Sequence, residues 1–138
     1  KYEITPYQSV GLLKFGMQPS EVENIWGMPL KTSKNTKKGI TTENWKNSQA
    51  IYNEKGQLIQ IALNCKEDVF IDNKLLSKIG SKLDSLKNEE YFINRNHKIF
   101  FKFGIALDNL GNLSSKDFVY IFSEEMILYW KDLYRPII

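Results

Sequence analysis

Nucleophilic catalysis by a side chain needs a base within hydrogen-bond reach of a hydroxyl or thiol, and that base is most often histidine. The chain has one histidine, His97, and one cysteine, Cys65. His97 stands between Asn96 and Lys98, next to turn-forming residues, and reads as a solvated turn residue. Cys65 is followed by Lys66, Glu67 and Asp68 with no base in view. It reads as a half-buried thiol at a strand end, since free cysteine is commonly buried. One His and one Cys cannot compose a zinc site, which needs several such ligands in register. The run Asp108-Asn109-Leu110-Gly111-Asn112 has oxygen ligands without the spacing of a calcium loop, and reads as a turn. Neither G-x-G-x-x-G nor G-x-x-x-x-G-K-[ST] occurs, so no phosphate cradle is expected. The carboxylate pairs Glu67-Asp68, Glu89-Glu90 and Glu124-Glu125 are adjacent in sequence. Adjacent residues diverge on a strand and fail to face each other on a helix. These readings lead to an expectation of no catalytic residues, no metal and no cofactor, and of a function exerted by binding.

The one concentration of charge is Lys31, Lys34, Lys37 and Lys38. It could grip an acidic partner, or it could be a solvated loop. Trp45 and Tyr52, on the strands expected next, could extend such a surface, because Trp and Tyr are enriched at interface hot spots. The candidate partner-binding set is therefore Lys31, Lys34, Lys37, Lys38, Trp45 and Tyr52. The net charge of +3, from 19 basic and 16 acidic residues, is too small and too evenly spread for a phosphate-binding stripe. Aromatic residues are not interleaved with the lysines, so no nucleic-acid partner is expected. No apolar run nears the roughly 18 residues of a membrane span, and residues 1–10 do not resemble a signal peptide. A lone cysteine forms no intramolecular disulfide, which fits a reducing compartment. Cytoplasmic residence without a membrane partner is the expectation.

The elements that must position these residues can be read from spacing. The chain has 138 residues, 42% hydrophobic and 13% aromatic, enough for one folded domain. Pro19 suits a first helical position, Gln18 is the cap, and Glu21 meets the positive end of the helix. Val22, Ile25 and Trp26 then form one stripe, Gly27 ends the helix and Pro29 stops it. Residues 31–42, rich in Lys and Thr, read as a loop, and residues 43–45 as extended. Residues 51–61 read as a hairpin turning at Gly56, with 58–63 a good strand. Residues 73–79 read as a helical turn, broken at Gly80-Ser81, with a second turn holding Leu83 and Leu86. Residues 91–93, 99–107 and 118–122 read as strands, the middle one bent at Gly104. Ser123 caps a closing helix with Met126, Tyr129, Trp130 and Leu133 on one face. The order predicts an α+β fold: an antiparallel sheet with short helices packed on one face, a C-terminal helix, and two internal repeats at 5–64 and 72–122.

The segment from Gly16-Met17 through Val22 to Gly27-Met28-Pro29 resembles a pattern, Gly-Met-x-x-x-x-Val-x-x-x-x-Gly-x-Pro. It is similar to that of the outer-membrane assembly lipoprotein and of relatives with the tandem helix-plus-sheet fold of the β-lactamase inhibitory protein. Together with Tyr52-Asn53-Glu54-Lys55-Gly56 and Gly104-Ile105-Ala106-Leu107, it resembles small bacterial toxin-immunity proteins. The resemblance implies a cytosolic protein that binds a cognate toxin and blocks it by stoichiometric occlusion, as in contact-dependent growth inhibition. An envelope-assembly binding module and an enzyme of unfamiliar type stay open as alternatives.

Overall fold

The computed structural model describes residues 2–76 and 86–131. It is an α+β fold dominated by antiparallel strands. The first strands are β1 (Tyr2–Thr5), β2 (Ser9–Val10) and β3 (Leu13–Lys14), followed by helix α1 (Pro19–Trp26). Then come β4 (Lys31–Asn35), β5 (Ile40–Asn44), β6 (Ser48–Tyr52) and β7 (Leu58–Asn64), and next β8 (Val69–Ile71) and β9 (Lys74–Leu75). The second half continues with β10 (Phe92–Asn94), β11 (His97–Phe100), β12 (Ile105–Leu107) and β13 (Phe118–Phe122), closing with a 3-10 turn (Glu124–Met126) and α2 (Ile127–Lys131).

These strands form two sheets. The smaller has the order β3-β2-β1-β8-β9 and the larger the order β10-β11-β12-β13-β7-β6-β5-β4. The large sheet is thus two four-stranded meanders joined where β7 pairs antiparallel with β13, in the register Ile61↔Ile121. Residues opposite one another across strands share a face. One face carries Tyr52, Ile61, Leu63, Ile105, Val119 and Ile121, which pack with Val22 of α1 and with Ile4, Val10 and Ile71 of the small sheet. The other carries Ile51, Ile59, Ile99, Ala106 and Phe122, covered by Met126 and Trp130. The two helices therefore lie on opposite faces, not on one face as expected, because the central strands bury residues on both. A shift in register between Ile51 and Tyr52 lets Ile51 oppose Gln60 and Tyr52 oppose Leu58, which leaves Ile59 bulged.

Helix α1 begins and ends as its residues dictate. The Gln18 N–H donates to the Glu21 carboxylate at 3.0 Å, and Gly27 leaves the helix at φ 84°. The lead-in is bonded to the β6–β7 hairpin: Gly16 N–H donates to the Leu58 carbonyl and Leu58 N–H to that of Met17, both at 2.9 Å. The Gly-Met pattern and the Tyr-Asn-Glu-Lys-Gly hairpin are thus two sides of one packing contact.

Several expectations are corrected. Residues 31–42 are not a loop: 31–35 is a strand of the large sheet, without apolar alternation because both its faces are open. Residues 99–107 are two strands paired with each other, not one bent strand. Their turn closes when Phe103 and Gly104 N–H donate to the Phe100 carbonyl. Lys74–Leu75 pairs with β8 as a strand, although a helical turn was expected there. Residues 77–79, Gly80-Ser81, Leu83 and Leu133, named in the sequence reading, lie outside the described residues. The closing helix is a 3-10 turn leading into one α-turn, and the buried Ser123 hydroxyl makes no hydrogen bond to cap it.

Gly104 is a glycine that the sheet holds closely. Its φ is +68°, and an added Cβ would meet the Phe122 carbonyl oxygen at 2.9 Å and the Tyr7 ring at 3.0 Å. Gly27 has φ +84° but open space around it. We expect Gly104→Ala to destabilise by roughly 2–3 kcal/mol and Gly27→Ala by roughly 1 kcal/mol. Urea unfolding measures both, and equal costs would show that the close approach to β13 does not matter.

Candidate functional site

The lysines sit on an edge. Lys31 and Lys34 lie on β4, the terminal strand of the large sheet, and Lys37 and Lys38 in the turn to β5. All four are exposed. The turn is built by the Asn35 side-chain oxygen, which accepts from Lys38 N–H at 3.2 Å, and by Gly39 at φ 65°. Beyond it, Trp45 is half-buried. Its ring meets Trp26 edge-on with centroids 5.0 Å apart, and its Nε1–H donates to the Gly27 carbonyl at 3.0 Å. Trp45 thus fastens the end of α1 to the sheet. It also lines a small cleft of about 110 Å³ with Asn44, Ser48, Gln49, Ala62, Phe118 and Tyr120.

Tyr52 does not belong to this surface. It is 0% exposed, and its hydroxyl donates to Glu43 Oε1 at 2.6 Å. The residue-type argument for a partner contact fails because its face of β6 is the one covered by α1 and the small sheet.

Burial of Tyr52 brings together a cluster that sequence reasoning missed. Glu43 is 3% exposed on β5 and shares a hydrogen bond with the carboxyl of Glu23 on α1. A bond between two carboxyls requires a proton on one of them. Burial pushes the Glu43 carboxyl up to about 7, helped by Glu23 and opposed by the Tyr52 hydroxyl that donates to it. Burial and Glu43 together push the Tyr52 hydroxyl far above its ordinary value. A carboxylic acid that keeps its proton near neutrality is by type a general acid. Here its hydrogen-bond partners are protein groups, so it acts as a tie between α1 and the sheet. The carboxylates weighed from the sequence were neighbours, and Glu23 and Glu43 are far apart in it.

His97 is also placed differently from the sequence reading. It is half-buried on β11, and its Nε2 lies 3.1 Å from Asp108 Oδ1. The ring packs edge-on against Tyr120 and Trp130, at 5.6 and 5.2 Å between centroids. Asp108 Oδ2 accepts from Phe118 N–H at 2.8 Å and from the Tyr120 hydroxyl at 3.5 Å. This is a base held by an acid, two parts of a nucleophile-activating arrangement. Among the described residues, no Ser, Thr or Cys hydrogen-bonds His97. Tyr120, the hydroxyl nearby in the network, is driven up by burial first and by Asp108 second, so it holds its proton. The pair braces the turn after β12 against β13. Cys65 is fully buried just after β7 and donates to the Ser114 carbonyl, and burial raises its thiol. Among the described residues, no His, Cys, Asp and Glu side chains gather to hold a metal, and no helix is long and apolar enough to cross a membrane.

The Glu43 cluster makes stability depend on pH. Below about 4.5 the folded and unfolded chains both hold the proton; between there and about 7 the unfolded chain releases it first. Stability should therefore fall as pH rises through this window, by on the order of 2 kcal/mol. In Glu43→Gln the amide can donate to Glu23 and accept from Tyr52, so this fall should vanish. Urea midpoints of both proteins at pH 4.5 and pH 8 check it; parallel slopes would show that Glu43 ionises freely.

No family model, curated protein or solved structure matches the chain. The likeness to the tandem helix-plus-sheet proteins rests on the motif residues alone.

Proposed function

We propose that this chain is a stoichiometric binding protein of the toxin-immunity type, which occludes a cognate protein and catalyses nothing itself. One observation carries the reading: a basic sheet edge, β4 with its turn, is presented to solvent on a backbone fastened by Trp45. A fixed surface loses little freedom on association, so more of the contact energy appears as affinity. Of the candidate residues, Lys31, Lys34, Lys37 and Lys38 supply the charge and Trp45 the fastening. The net charge of +3 favours a partner that presents acidic groups, because complementary charge speeds encounter. The cytoplasm is the proposed compartment, supported by a single buried thiol.

The test is capture of the product of a neighbouring gene by the purified chain. We expect a one-to-one complex in calorimetry and inhibition that saturates at equivalence. Lys31→Glu with Lys34→Glu should weaken the complex about tenfold or more, mostly at low salt. Turnover of a substrate by the chain alone would overturn the reading, and so would failure to bind any neighbouring product.

A further inference from the structure

We infer that the open side of β4 is a docking edge for an acidic, extended segment of a partner protein, which adds to the large sheet as a further strand and seats an apolar side chain against Met28 and Leu30. This rests on the binding reading above and names the chemistry of the partner.

Three observations converge on this edge. First, β4 is terminal and pairs only with β5 among the described residues. Its outward N–H and C=O groups are open, as on any edge strand, and its five residues are long enough to template another. Second, Met28 and Leu30 are 77% and 78% exposed immediately before it. They are not on a loose tether: Trp45 holds the Gly27 carbonyl, and Leu30 N–H donates to the Asn44 carbonyl at 2.8 Å. Two large apolar side chains on a fastened backbone, with Ile25 exposed nearby, are a ready-made anchor at the centre of a contact.

Third, the lysines select the occupant. Lys31 shares the face of Asn44, and Lys34 the opposite face with Thr41, so they straddle the edge. No ion pair among the described residues involves either. Carboxylates on both faces of an added strand would each find a lysine. Two copies of β4 side by side would instead gather four lysines at one seam, which is unfavourable. The charge that guards an edge against its own kind thus admits an acidic strand. The turn lysines contribute less, because the Glu54 side chain lies against Gly39 at the turn.

The probe is a synthetic peptide that repeats Glu-Glu-Val and ends in Leu, so that carboxylates fall on both faces of the strand, added to the ¹⁵N-labelled full chain. A copy with a central proline cannot complete the strand ladder, and a Lys-for-Glu copy reverses the charge. We expect amide shifts confined to residues 28–35 and binding that weakens in salt. Affinity should drop about tenfold for the proline copy, for Lys31→Glu/Lys34→Glu and for Met28→Ser/Leu30→Ser. Spectral dispersion establishes that each variant is folded. No shift on β4 at millimolar peptide overturns the inference, as does equal binding of the proline copy. The two readings fail separately. A cognate protein whose capture weakens with Lys31→Glu/Lys34→Glu but not with Met28→Ser/Leu30→Ser, while the peptide does not bind β4, removes strand addition and leaves occlusion standing. A peptide bound at β4 with no protein captured does the reverse.

Discussion

The structure depends on a single seam, the pairing of β7 with β13. All seven residues of β7 are buried, so the strand needs cover on both faces of the sheet. A strand of this kind cannot sit at a surface, and it forces the chain to build a layer on each side. The small sheet and α1 form one layer; the residues after β13 form the other. Placing β7 at an edge would expose Leu58, Ile59, Ile61 and Leu63 together, a loss on the order of 1.5–3 kcal/mol for each side chain.

Amides buried on the large sheet are answered by named partners, although the buried Ser123 hydroxyl beside the seam is not. Gln60 accepts from Trp130 Nε1–H at 3.0 Å, and Asn64 donates to the Ser115 carbonyl at 3.0 Å. Asn94 donates to the Trp130 carbonyl at 2.8 Å. Apolar packing tolerates sliding, whereas a buried amide does not, because a slipped register leaves it without a partner at a cost of about 1–3 kcal/mol. Gln60 and Asn94, one on each meander, both reach Trp130. That residue therefore fixes α2 and the register of both halves through two bonds that an all-apolar contact would lack.

What was legible from the residues were elements whose punctuation is local. Pro19, Glu21 and Gly27 mark α1 because each acts on backbone groups within one turn. Gly56 marks the β6–β7 hairpin, and the run Phe118–Phe122 marks β13. What was illegible depended on distant covering. β4 shows no alternation because neither of its faces is covered. Tyr52 and Glu43 become buried only when α1 folds across them, so their pairing with Glu23 has no short-range trace. His97 reads as a turn residue from its neighbours, yet the hairpin that follows carries Asp108 back to it. Of the proposed binding set, the lysines could be found from composition. The fastening role of Trp45 and the exposure of Met28 and Leu30 could not.

The two meanders also explain why the outer edges differ. In a sheet made of two four-stranded units joined at their last strands, β4 and β10 occupy corresponding terminal positions. The small sheet does not follow the same relation: β1 and β8 pair parallel, while β7 and β13 pair antiparallel. No single two-fold axis serves both contacts, and the two rims differ in residue type. β4 carries Lys31 and Lys34, while Tyr91, Phe92 and Ile93 at β10 are about half exposed, and Phe92 leans on Phe101 with centroids 5.4 Å apart. The β10 rim presents apolar side chains, one of which leans on its own sheet. An edge of lysines leaves its backbone open and sets a charge condition on what may approach. Between two equivalent positions, the basic one is the edge on which a partner's sequence would decide the outcome.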